Sequence, residues 1–168
     1  MMMGYQWEDL IVDATQTSLD KGRVTTSHVM RWSAAVENFH RIHYDAPFAV
    51  GHDKLPGIVV NGSWKQHVLV QAVKDMLGLE GWLWRLSFRY KAMDMAGDSI
   101  KAVARVVDKK EVDGLGFVTL KLSIVNQRDE VTTAGYAIGV VPLPGGRKVP
   151  YPFVPDPAYQ VIQMPAIE

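Results

Sequence analysis

The sequence predicts an α+β domain in which an antiparallel β-sheet wraps one long, covered helix. Three observations predict it. The segment from about residue 62 to residue 77 carries an apolar arc too broad for a surface helix. After Gly78 the apolar period changes from four to two and stays there through four further segments. Short turn signals separate these segments, at Ala96-Gly97-Asp98, Asp113-Gly114 and Gln127-Arg128-Asp129, and such a succession reads as an antiparallel meander.

Each element has its own justification. A strand around residues 13–19 is expected to complete the sheet. Thr26 or Ser27 is placed to cap a first helix bearing Val29, Met30, Ser33, Ala34 and Glu37, ending near Phe39. In the long helix Val60, Trp64, Val68, Ala72 and Met76 recur every four residues, and Leu69, Val73 and Leu77 widen the stripe. Gly78 suits a left-handed C-cap, and Lys65, Gln66, His67, Gln71, Lys74 and Asp75 form the polar remainder. Trp82, Trp84, Leu86, Phe88 and Tyr90 alternate onto one face of a strand, with Arg85, Ser87 and Arg89 opposite. A second strand is expected over residues 99–107. The third sets Val118, Leu120, Leu122 and Ile124 on one face, and a fourth covers residues 131–141. A sheet closed around one helix is the hot-dog arrangement. Open edges and an apolar outer face make a lone copy a poor monomer, so pairing with itself or with another hot-dog subunit is expected.

Composition bounds the rest. A chain of 168 residues suits one domain, placed at residues 1–143 and followed by a Pro-rich tail at 144–168. Seven of the nine prolines lie from Pro142 onward, in runs that build neither helix nor central strand. Tyr151, Phe153, Tyr159 and Ile162 predict that this tail packs on the domain or on a partner. Eighteen basic and eighteen acidic residues leave no net charge, so there is no basic field for nucleic acid or for an anionic membrane surface. Cysteine is absent, which excludes disulfides, a thiol nucleophile and thiolate metal sites. The first ten residues lack the order of a secretory signal, and no apolar run approaches the roughly 20 residues of a membrane span. A cytoplasmic protein acting on a small molecule or a partner is the expectation.

Chemistry concentrates between the two helices. His40 and His43 lie three apart, beside Asn38 and Asp45. Composition alone reads this stretch as a solvated loop. A catalytic zinc would need a third protein ligand, which the segment does not supply, so no metal is expected. No Gly-rich loop joins a strand to a helix, which argues against a nucleotide cofactor.

The run Phe39-His40-Arg41-Ile42-His43-Tyr44-Asp45, followed by Leu55-Pro56-Gly57-Ile58-Val59-Val60-Asn61-Gly62, resembles the MaoC-like hot-dog hydratases and dehydratases, which include the (R)-specific enoyl-CoA hydratases. Within them it is most similar to the mesaconyl-CoA hydratase-like branch. The resemblance implies addition or removal of water at an enoyl or 3-hydroxyacyl thioester, with CoA as part of the substrate and no separate cofactor. It places His43 at the catalytic histidine, Asn38 at the catalytic aspartate, and Gly62 at the glycine whose amide binds the thioester oxygen. Asn61 replaces the histidine of the family's His-Gly pair and remains able to cap the helix. Asn61, Arg41 and Arg89 are the expected substrate-binding residues.

Elementary chemistry fits these roles. Water addition builds negative charge on the thioester oxygen, and a free N–H at a helix N-terminus stabilises it. An imidazole suits the proton transfer because its ordinary pKa lies near working pH. Asn38 cannot take a proton, so His43 is the sole strong base and Asn38 an orienting amide. A non-catalytic subunit, or one that completes a heteromeric hydratase, is the alternative, and Asn38 and Asn61 are the residues that favour it.

Overall fold

The computed structural model describes residues 4–167. The first three residues of the predicted domain and the last of the predicted tail lie outside it. Strand β1 (Thr15–Arg23) precedes helix α1 (Thr26–Ala35), and the long helix α2 spans Gly62–Leu77. Four strands follow: β2 (Trp82–Tyr90), β3 (Ser99–Val112), β4 (Leu115–Asn126) and β5 (Val131–Pro142). Their spatial order is β1-β3-β4-β5-β2, antiparallel throughout, and α2 packs against all five. No helix among the described residues is long and apolar enough to cross a membrane.

The core follows from the two periodicities. Val68, Leu69, Ala72, Val73 and Met76 of α2 meet Val118, Leu120, Leu122 and Ile124 of β4, all but dry. The helix stops where expected. Gly78 has φ 68° and ψ −164°, a region open essentially to glycine alone. Asp113 and Gly114 both take positive φ and join β3 to β4 in the two-residue turn that the Asp-Gly pair signals.

Four expectations are corrected. The strands do not form a simple meander, because β2 pairs with β5 at the far edge and not with β3. The chain between Tyr90 and Ser99 runs past the front of α2, where Val60 N–H bonds Asp94 O and Ala96 N–H bonds Ile58 O. Helix α1 ends at Ala35, four residues early. Glu37 turns to φ 54°, with its N–H on Ala34 O and Asn38 N–H on Ser33 O, which is a Schellman closure. Its cap is Thr25, whose hydroxyl accepts from His28 N–H while the His28 ring accepts Thr25 N–H. The aromatic face of β2 is split as well. A bulge between Leu83 and Arg85 changes the parity of the strand, so Trp82 and Trp84 join the outer cluster while Leu83, Leu86 and Phe88 point to the core.

That outer cluster is covered from within the chain. Phe153, Tyr159 and Ile162 pack with Leu115, Phe117, Ile138 and Val140. Arg147 ties the tail down through Asp113 and the Tyr159 hydroxyl.

Asp98 closes the turn before β3. Burial pushes its carboxyl up, but Met95 N–H, the Gln127 amide and the Arg128 guanidinium together hold it below the ordinary value of 3.8. A lowered folded pKa stabilises the fold above the unfolded value and loses that contribution as pH falls through the folded one. The acid limb of stability below about pH 4 is therefore expected to flatten in Asp98→Asn, as read by thermal melts across pH 2–6.

Candidate active site

The segment after α1 is built to aim one imidazole. Residues 41–43 form a tight turn capped by His40, whose ring accepts Ile42 N–H. Asp45 braces the turn on its far side: one carboxylate oxygen accepts Phe48 N–H and the other accepts Nε and Nη2 of Arg41. The Arg41 hydrogen bonds, and after them the Phe48 N–H, lower the Asp45 pKa. Arg41 also stacks over the Phe48 ring.

His43 is held inside this turn, only 7% exposed. Its Nδ1 lies 2.7 Å from Val59 O. A carbonyl only accepts, so Nδ1 carries the hydrogen and a neutral ring presents Nε2 as a free lone pair. Val59 in turn donates its N–H to Ile42 O, so each segment positions the other.

Three residues beyond Val59 stands the tip of α2. Asn61 occupies the N-cap position but does not cap with its side chain, which corrects the expectation. It is fully buried and exchanges hydrogen bonds with Ser33 of α1, Nδ2 to Oγ at 3.1 Å and Oγ to Oδ1 at 3.4 Å. A buried amide takes the enclosed hydroxyl within reach, and the helix front keeps its donors. Among the described residues no acceptor meets the N–H of Gly62 or Ser63. These are orphan donors of a helix start, backed by the helix dipole. A Cβ on Gly62 would lie 2.9 Å from Cζ of Tyr90, so a side chain there would collide with that ring.

The predicted residues separate accordingly. His43 is tied by its ring to Val59, on the same 59–62 segment that carries Asn61 and Gly62. Asn38 is half-buried at the closure of α1, its Oδ1 accepting His40 N–H at 3.3 Å, and the His40 ring stands edge-on to His43. Arg41 is engaged by Asp45, and Arg89 is exposed on β2. Sequence reasoning missed three neighbours of the helix tip. Tyr90 reads as one more aromatic of its strand, whereas its ring covers Gly62, and burial raises its pKa. Lys65, assigned to the polar face, is 2% exposed, and it pairs with Asp94 at 2.6 Å. A signal existed for Lys65: it lies four, seven and eleven residues before Leu69, Ala72 and Met76, on the buried stripe. Nothing in the pattern marks Asp94.

The family model of hydroxyacyl-thioester dehydratase type 2 matches residues 8–98, from before β1 through the site and into the turn before β3. The chain belongs to this family. No curated protein matches the sequence of this type 2 dehydratase relative. Among solved structures it is similar to the (R)-hydratase from A. caviae involved in PHA biosynthesis, with TM-score 0.69 and 23% identity over 80% of this chain and 98% of that one. R-hydratase PhaJ1 from Pseudomonas aeruginosa gives TM-score 0.73 and 16% identity over 97% and 95%. The ChsH1-ChsH2 complex from Mycobacterium tuberculosis gives 0.66 and 19% over 79% and 98%. At these identities the likeness shows the hot-dog fold.

Proposed function

We propose that this member of the type 2 hydroxyacyl-thioester dehydratase family adds or removes water at an enoyl or 3-hydroxyacyl thioester, with CoA as the carrier. The observation that supports this reading is the pairing of a free imidazole nitrogen with an uncapped helix tip on one short segment. The thioester oxygen would accept the Gly62 N–H, where charge develops as water adds. Nε2 of His43 would take the proton of that water and return it at the α-carbon in the hydration direction. The Asn38 amide would orient the water. The scheme uses hydrogen bonds and proton transfer alone, and we assign it no metal or redox cofactor. Arg89 and the Asn61 frame are assigned to substrate binding, and on its motif we assign the chain to the mesaconyl-CoA hydratase-like branch.

The test is hydration of crotonyl-CoA and longer enoyl-CoA thioesters by the pure protein, followed by loss of the enoyl absorbance. Turnover supports the reading, and inactivity with every chain length counts against it. A second reading is favoured by Asn38, which cannot accept a proton: a subunit that completes a hydratase only with a different hot-dog chain. Activity appearing solely on addition of such a chain would select it. Either way we propose a dimer or larger assembly. Asn38→Asp puts a proton acceptor on the same backbone and is expected to raise kcat by about tenfold. A loss of that size would show that the amide itself is required.

A further inference from the structure

The geometry points to the buried Lys65–Asp94 pair as the positioning device that sets the spacing between His43 and the tip of α2. The inference rests on reading those two groups as one site. Lys65 belongs to the first turn of α2, and Asp94 is fully buried in the connection between β2 and β3. The three hydrogens of the ammonium meet three acceptors: Asp94 Oδ2 at 2.6 Å, Ala92 O at 2.9 Å and Thr132 O at 3.2 Å. Asp94 Oδ2 also accepts the Thr132 hydroxyl at 2.7 Å.

The same aspartate reaches the other half of the site through its main chain. Asp94 O accepts Val60 N–H at 2.8 Å, and the neighbouring residues Val59 and Met95 form a β-bridge. Val59 O is the anchor of the His43 ring. One residue therefore grips the strand that holds the imidazole with its backbone, and the first turn of the helix with its carboxylate. Gly62 lies between the two grips.

Stability does not account for the pair. Taking both charges out of water offsets most of their attraction, and apolar residues of similar volume commonly replace such a pair without loss. What an apolar replacement lacks is directional bonding. It would fill the space yet leave the first turn of α2 free to shift against residues 58–60. A displacement near 1 Å at such a site costs up to about 10²-fold in rate.

The experiment compares the parent with Lys65→Met/Asp94→Leu, in which the pair is removed without stranding a charge. The first readout is independent of any reaction: the ¹⁵N shifts of the His43 ring report which nitrogen carries the hydrogen. The parent is expected to show Nδ1–H, and the folded double variant a mixture of tautomers. The second readout is enoyl-CoA hydration, with kcat expected to fall about tenfold or more and KM to change less than about threefold. Asp94→Asn, which keeps an acceptor for Lys65 and Thr132, is expected to retain the parent's ring signature. Should the double variant not fold, Thr132→Val removes the hydroxyl held by Asp94 and is read by the same ring shifts. An unchanged His43 signature in the folded variant overturns the inference. If the parent hydrates no thioester, the catalytic reading fails while the ring shifts still decide this one.

Discussion

Replacing His43 by alanine is expected to lower enoyl-thioester hydration by about 10²–10⁴-fold, the usual worth of a positioned acid–base group. The ring is enclosed, its Nδ1 is committed to Val59 O, and Nε2 is left as the acceptor. Asp45 and Asn38, its polar neighbours in the motif, do not stand in for it. Asp45 is held by Arg41 and by Phe48 N–H, and Asn38 is an amide. The rate should fall mainly in kcat, because the substitution leaves the proposed Gly62 N–H contact to the thioester oxygen in place. Far-ultraviolet circular dichroism and the urea midpoint check that the loss is chemical. A variant with parental turnover would remove His43 from the reaction altogether.

The second large effect concerns stability. Lys65→Met alone strands Asp94 as an unpaired carboxylate in a dry site, and is expected to cost about 3–5 kcal/mol. Asp94 Oδ1 already lacks a hydrogen-bond partner among the described residues, so no spare donor is at hand to compensate. Urea unfolding of the single variant beside Lys65→Met/Asp94→Leu separates the terms. The single change should lower the midpoint sharply, whereas the double change should restore most of it. A loss below about 1 kcal/mol in the single variant would mean that the carboxylate finds water or a proton where it stands.

The architecture was largely legible because two periods are written plainly. The four-residue apolar recurrence of α2 and the two-residue alternation of β4 each predict one buried face, and both faces are buried as read. The Asp113-Gly114 turn is equally local, since backbone strain demands those residue types. What escaped depends on partners distant in the chain. The pairing of β2 with β5 is set by the path of residues 91–98 around the helix front, which no local pattern encodes. The bulge at Trp84 turns two tryptophans outward, and only the outer apolar patch awaiting them makes this favourable. At the candidate site, the motif singles out His43 and Gly62. The bond that sets the ring's tautomer is made to a main-chain carbonyl, and main-chain carbonyls have no signature in a sequence. Asn61 shows the limit most clearly. Its type and position fit a helix cap, yet a buried serine 28 residues upstream claims its amide.

The tail has a consequence in time as well as in space. The chain is made in order, so the five strands are synthesised before Phe153, Tyr159 and Ile162. Until those three dock, the tryptophans of β2 and the phenylalanine of β4 lack their cover on the outer face of the sheet. Termination near residue 143 would release a sticky chain whose cover had never been made.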